Sequence, residues 1–206
     1  MYIPKYFHVK DIDEIVKMIE KNSFATVVTT KKGKPIASHL SLQLLKERED
    51  YFITGHMAYG NPQWRTFETC ESVLVIFQGP HAYISSSWYE QENVPTWNYQ
   101  AVHMYGQASI LGEEELKQDL TMLLEKYEKH RENPVLWDTL SPQLLDGQLK
   151  GIVGFKIKVE EVQAAYKLSQ NRNEEDYHNI IEELQKEEDP NSMQLAEAMR
   201  KLQNYK

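Results

Sequence analysis

Hydrophobic positions along the chain follow two different spacings, one typical of an α-helix and the other of a β-strand. Residues 11–22 carry aliphatic side chains three and four positions apart, with charged residues between them and Asp11 as a candidate N-cap. This spacing predicts a short amphipathic helix. The period then falls to two in residues 24–30 and 35–45, which flank a polar turn at Gly33. That pattern predicts a β-hairpin.

Strand-like segments recur through the rest of the chain. They cover residues 51–57, 72–79, 82–89, 96–111 and 153–169. Gly79-Pro80 and the polar stretch 91–95 interrupt the middle of this series. Short strands with turn signals at close spacing predict an antiparallel sheet closed into a barrel.

Helical spacing returns outside these strands. Residues 58–71 predict a short helix that begins near Pro62, and residues 113–130 and 141–152 predict two more. The tail, 173–203, predicts two helices broken near Asp189-Pro190. We therefore expect an α+β fold, an antiparallel β-barrel with peripheral helices and a helical C-terminal tail. The expected division is a barrel domain over 1–172 and a tail over 173–206 that packs on or near it.

Charge and composition narrow the classes of function. The formal net charge is −8 and the sequence pI is about 5.4, with no run of Lys and Arg long enough to form a basic stripe. This balance disfavours generic nucleic-acid binding but is compatible with a small basic pocket for one phosphate. Cys70 is the one cysteine, and the longest apolar block, 73–77, is far too short to span a membrane. With no signal-peptide pattern at the start, we expect a cytoplasmic protein.

Familiar catalytic motifs are missing from the sequence. The seven histidines form no HxH, HxxxH or HExxH spacing, so no metal site is expected. The serines at 85–87 lie in neither a GxSxG nor an SxxK pattern, and the chain has no glycine-rich nucleotide loop. No catalytic residue is assigned from the sequence.

Three polar clusters remain as candidate binding positions, at residues 39–42, 55–64 and 165–172. In the second, Gly-Asn-Pro at a helix start would expose backbone N–H groups to an anion. In the third, Lys167 and Arg172 flank polar residues and could bind the same anion. The alternative for the third cluster is an ordinary polar loop that leads into the next helix.

Several longer strings resemble a known protein family. They are MYIPKYF, ASHLSL, TGHMAYGNPQW, FQGPHAYISSSWY, VPTWNY followed by AVHMYG, LKGIVGFKI and KLSQNR. In this order and spacing they are similar to the PaiB family of FMN-binding negative transcriptional regulators, related to protease synthase and sporulation regulators. The resemblance implies an FMN-binding split β-barrel like that of pyridoxamine-phosphate oxidases and flavin reductases. It also implies a homodimer with the flavin at the subunit interface.

The resemblance further implies a set of FMN-binding positions. These are Ser38, His39, Leu40, Ser41, His56, Met57, Ala58, Asn61, Trp64, Lys167, Gln170, Asn171 and Arg172. Two positions depart from the family pattern. Pro is common in the family where Ser41 stands, and a basic residue is common where Tyr59 stands. Because Tyr59 carries no charge, phosphate binding would depend more on Lys167, Arg172 and backbone N–H groups.

The aromatic stretch 96–106 has two faces if it is a strand. One face carries Trp97, Tyr99, Ala101, His103 and Tyr105, and the other carries Asn98, Gln100, Val102 and Met104. One face must line the core. The other would lie near a dimer partner or the flavin edge, and packing is favoured over direct ligand contact.

Three functions stay open at this point. The resemblance implies a negative regulator of sporulation and degradative-enzyme genes, which would contact DNA directly or act through a partner protein. A second possibility is a flavin-dependent oxidoreductase in which the flavin carries the chemistry, with His56 or His103 as candidate proton donors. A third is a dimeric ligand-sensing protein without bound flavin.

Overall fold

The computed structural model describes residues 1–203. Its strands are β1 His8–Val9, β2 Phe24–Lys31, β3 Lys34–Glu47, β4 Asp50–Ala58, β5 Val73–Ile84, β6 Thr96–Ile110 and β7 Ile152–Lys167. Its α-helices are α1 Ile12–Lys21, α2 Glu113–Glu128, α3 Pro142–Leu149, α4 Glu174–Lys186 and α5 Pro190–Gln203. Single turns of 3-10 helix occur at Lys5–Phe7, Pro62–Thr66, Ser86–Trp88 and Trp137–Thr139.

The strands form one sheet in the order β1-β7-β4-β3-β2-β5-β6, and β6 also pairs with β7, so the pairing of six strands closes on itself. Neighbouring strands such as β3 and β4, or β4 and β7, are antiparallel, with Leu42 opposite Gly55 and Gly55 opposite Phe155. This confirms the α+β class and the antiparallel split β-barrel with helices outside the sheet. The predicted hairpin is formed by β2 and β3, and Lys32 and Gly33 at its turn both have positive φ.

Three predicted elements differ from the structure. Residues 72–79 and 82–89 were expected as two strands, but β5 runs unbroken through Gly79 and Pro80. A Cβ on Gly79 would lie 3.1 Å from the Cβ of Gln100. This glycine therefore permits close packing of β5 against β6 at a position where a turn was expected. The helix expected within 58–71 is a 3-10 turn of five residues, and β7 ends at Lys167 before a left-handed Ser169.

The chain divides into two compact units. The first contains residues 1–22, 77–103 and 163 onward, and the second contains 23–76 and 104–162. Fully buried apolar side chains fill each unit. Those of the first unit include Ile19, Phe77, Ile84, Tyr166, Leu168 and Ile180, and those of the second include Val27, Ile53, Val75, Phe155 and Ile157.

The two faces of β6 differ in burial as the strand period requires. Asn98, Gln100, Val102 and Met104 are buried, whereas the aromatic face is half-buried or exposed. Trp97 on that face is 48% exposed. The face that carries the amides of Asn98 and Gln100 therefore packs into the core, and the aromatic face points outward.

Candidate functional site

The candidate positions on β3 point to opposite faces of the sheet. Ser38 accepts a 2.8 Å hydrogen bond from the side-chain amide of Asn61, in the turn after β4. His39 lies on the other face, where its Nδ1 is 3.0 Å from Thr26 Oγ1. Leu40 lies on the same face as Ser38, and Ser41 lies on the same face as His39. The His39 ring also stacks on the Phe24 ring. The four residues therefore cannot present their side chains to one side of a ligand.

The positions on β4 show the same alternation. Met57 is 2% exposed, so its side chain belongs to the core and only its backbone is available to a ligand. His56 lies on the opposite face, two residues after Thr54, and Ala58 is exposed at the strand end.

A hydrogen-bonded turn holds Asn61 and Trp64 after β4. Asn61 Oδ1 accepts from the backbone N–H of Gln63 at 3.0 Å, and the buried Gln63 amide donates to the carbonyl of Val27 at 2.9 Å. Trp64 Nε1 donates to the carbonyl of Tyr59, and the Arg65 guanidinium lies 4.3 Å from the Trp64 ring centroid. Because the helix here is one turn long and Asn61 already caps it, the expected anion site at its start is not supported by the structure.

A buried carboxyl that sequence reasoning missed lies on α2. Asp119 is 3% exposed, and its Oδ1 accepts from Thr54 Oγ1 at 2.5 Å and from Gln43 Nε2 at 2.8 Å. Burial raises the pKa of this carboxyl, and the hydrogen bond from Thr54 opposes the rise. An isolated acidic residue in a helix gives no sequence signal of burial, so the pattern could not have indicated it.

His56 and Asp119 interact electrostatically within the second unit. Burial lowers the pKa of the His56 imidazole, and the Asp119 carboxylate partly offsets this by raising it. His56 Nδ1 and Asp119 Oδ2 are both buried and have no hydrogen-bond partner among the described residues. This electrostatic interaction links a candidate proton donor of the sequence to an acid that lies 63 positions further on.

In the first unit, the segment 167–172 forms a structured loop. Gln170 uses both ends of its amide inside this loop, accepting from the Leu168 N–H at 2.7 Å and donating to the Tyr166 carbonyl at 2.5 Å. The N–H of Arg172 donates to the Ser169 carbonyl at 3.0 Å. Gln170 therefore shapes the loop, whereas Asn171 is exposed on it.

Lys167 and Arg172 place two cations in this loop. Lys167 Nζ donates to Thr96 Oγ1, and the Arg172 guanidinium lies 4.6 Å from the Tyr89 ring centroid. Burial, and then the charge of Arg172, lower the pKa of the Lys167 ammonium. Among residues 1–203 neither cation forms an ion pair with a carboxylate. Two neighbouring cations without a carboxylate suit a phosphate dianion.

Two other kinds of site are absent from the same residues. No group of three or more His, Cys, Asp or Glu within 1–203 is arranged to hold a metal ion. Within that range, no helix has the length and apolar character needed to cross a membrane.

Comparison with known proteins places the chain in a family. Residues 1–161 match the family model described as "Putative FMN-binding domain". The chain belongs to this family. It is also 71% identical over 199 residues to protease synthase and sporulation protein PAI 2 of Bacillus subtilis, a match that covers 97% of this chain and 96% of the relative. This confirms the resemblance stated from the sequence strings.

Solved structures agree on the fold. The flavocytochrome Anf3 from Azotobacter vinelandii has a TM-score of 0.64 at 13% identity, over 86% of this chain and 78% of that one. The FAD and heme binding protein from Mycobacterium smegmatis has a TM-score of 0.58 at 13% identity, over 83% of this chain and 78% of that one. At such low identity the likeness shows a shared fold.

Proposed function

We propose that this protein binds FMN and acts as a homodimeric negative regulator of sporulation and protease genes. Membership of the FMN-binding family supports the cofactor. The 71% identity to a protein named for protease synthesis and sporulation supports the regulatory role. In this role the protein would act in the cytoplasm and use no catalytic residue.

The observation that carries the cofactor assignment is the pair of cations in the 167–172 loop. Lys167 and Arg172 would hold the FMN phosphate, because each contributes charged N–H donors and no carboxylate within residues 1–203 neutralises either one. Gln170 fixes the loop that carries both, and exposed Asn171 lies between them. The positions on β3, β4 and the following turn stay candidate contacts, with Met57 limited to its backbone.

The proposed dimer interface is an exposed aromatic cluster on the neighbouring strands β5 and β6. Trp97 and Tyr83 are 48% and 47% exposed, their ring centroids lie 6.2 Å apart, and Trp97 Nε1 is 3.3 Å from His81 Nδ1. Clusters of aromatic residues with one polar atom each are typical of protein interfaces. A second copy of the chain would cover this face.

A flavin-dependent oxidoreductase is the second candidate function. The electrostatic interaction of His56 with the buried Asp119 favours it, since a histidine influenced by a buried acid can hold and release a proton. FMN, when bound, would supply hydride or electron transfer, and the protein would orient it and manage protons.

Titration with FMN, followed by flavin fluorescence on protein whose mass in solution is measured in parallel, tests the proposal. We expect saturable binding by a dimer. Absence of binding would leave the ligand-sensing protein without flavin as the better account.

A gel shift on protease promoters that weakens with salt would support direct DNA contact, and no shift at low salt would assign repression to a partner protein. Flavin reduction by NADH or NADPH faster than in free solution would favour the oxidoreductase.

A further inference from the structure

The underside of α2 carries a polar cluster in an otherwise apolar contact. Gly154 of β7 allows this helix to lie close to the sheet, because a Cβ there would come within 2.7 Å of Leu116 Cδ1. Beside this contact, Gln43 and Thr54 direct their hydrogen bonds to a single oxygen of Asp119. Buried carboxylate oxygens are normally hydrogen-bonded, so the second oxygen of Asp119 is expected to have a partner as well.

The second oxygen has a complementary atom on the neighbouring strand β4. Thr54 and His56 lie two residues apart on one strand, so their side chains share the face that α2 covers. Asp119 Oδ2 and His56 Nδ1 are both buried and unpaired within the described part of the chain. One is an acceptor, and the other becomes a donor when the imidazole carries its proton on that nitrogen.

We propose that Asp119 is the positioning residue of His56, with the His56 Nδ1–H donating to Asp119 Oδ2. The bond would satisfy both buried atoms. It holds the neutral ring with its proton on Nδ1, so that Nε2 is the atom at which His56 gains and loses a proton. When Nε2 is protonated, the imidazolium is balanced by the Asp119 carboxylate, and no other co-reactant is needed.

The elements around His56 offer few other charged groups that could pair with it, which favours Asp119 as the partner. On β3, Ser41 and Gln43 are uncharged. On β7, Gly154 is opposite His56, and Lys156 is already 2.7 Å from Glu47 Oε1. The other charged residues at the start of α2, 113–115, are exposed. In the proposed arrangement a buried acid orients a histidine, and enzymes use this combination for proton transfer.

This inference deepens the second candidate function, but its test uses flavin-free protein, so its failure is distinguishable from a failure of FMN binding. Nitrogen-15 NMR of the histidine rings, with His56 assigned by its absence in His56→Gln, reports both the tautomer and the titration midpoint. In the wild type we expect the Nδ1–H tautomer at high pH. In Asp119→Asn, where Asn Oδ1 can still accept from Thr54 and Gln43, we expect the His56 midpoint to move to lower pH because the carboxylate charge is gone.

Glu125→Gln is the matched control, since it removes an exposed carboxylate from the same helix and should leave the His56 midpoint unchanged. An Nε2–H tautomer in the wild type, or an unchanged midpoint in Asp119→Asn, would overturn the proposal. Should Asp119→Asn fail to fold, the tautomer of the wild type decides the question alone.

Discussion

The side-chain amide of Asn98 donates a 2.8 Å hydrogen bond to Ser169 Oγ, and this bond joins β6 to the loop that carries Lys167 and Arg172. Both residues are buried, at 0% and 2% exposed. Ser169 has a φ of +60°, a conformation that a non-glycine residue keeps only when its surroundings hold it. A buried amide therefore fixes the backbone from which the two proposed phosphate ligands extend.

Replacing this amide should destabilise the protein and weaken FMN binding together. Asn98→Ala leaves Ser169 Oγ without its donor and opens space in the core, so we expect a loss of about 1–3 kcal/mol in the free energy of unfolding. Urea denaturation measures the loss. The exposed Asn133→Ala is the control and should stay within about 0.5 kcal/mol of the wild type. A variant at Asn98 as stable as that control would show that the loop does not depend on the bond.

The pH dependence of stability should report on His56. Burial lowers its pKa in the folded state, so the unfolded chain binds more protons as the pH falls through the usual value of about 6.5. This part of the stability is present above that value and is lost as the pH drops toward the folded pKa. His56→Gln should therefore reduce the decline in unfolding free energy between about pH 7 and pH 5.

His103 is shifted in the same direction by burial, so it should account for a further part of the decline. The exposed His130→Gln serves as the comparison. Equal slopes for His56→Gln and His130→Gln would contradict this explanation.

Two glycines should respond in opposite ways to the same substitution. A Cβ on Gly106 would lie 1.9 Å from the backbone oxygen of Lys158, so Gly106→Ala forces β6 and β7 apart and should cost about 3 kcal/mol or more. Gly147 of α3 has no atom within 4 Å of such a Cβ, so Gly147→Ala should stabilise by up to about 1 kcal/mol. Thermal unfolding of the two variants compares them directly. Similar melting temperatures would mean that the strands do not approach this closely.

The sequence predicted most elements because their patterns are local. The spacing of aliphatic residues gave α1 with its Asp11 cap, whose Oδ1 accepts from the Asp13 N–H at 2.9 Å. It failed at Gly79-Pro80, because those residues indicate a turn unless the packing of Gln100 is known. Glycine and proline occur both at turns and at close contacts between strands, and only the tertiary structure shows which of the two applies.

The candidate site was less predictable for a related reason. Family strings indicated Lys167 and Arg172, and alternation along β3 and β4 implied that their side chains divide between two faces. No local pattern indicated that the acid of α2, Asp119, lies buried against Thr54 and electrostatically coupled to His56. Long-range pairs of this kind depend on how a helix packs on the sheet, which one sequence does not encode in its periodicity.

The central claim is that Lys167 and Arg172 bind the phosphate of FMN, and the most direct measurement compares FMN with riboflavin, which lacks the phosphate. Lys167→Ala and Arg172→Ala should each weaken FMN binding by about 10- to 100-fold, since a charge-assisted hydrogen bond contributes about 1.5–3 kcal/mol. Riboflavin affinity should stay unchanged in both, and the exposed Lys150→Ala should alter neither ligand. A double variant that binds FMN as tightly as the wild type, or that loses riboflavin to the same extent as FMN, would contradict the claim.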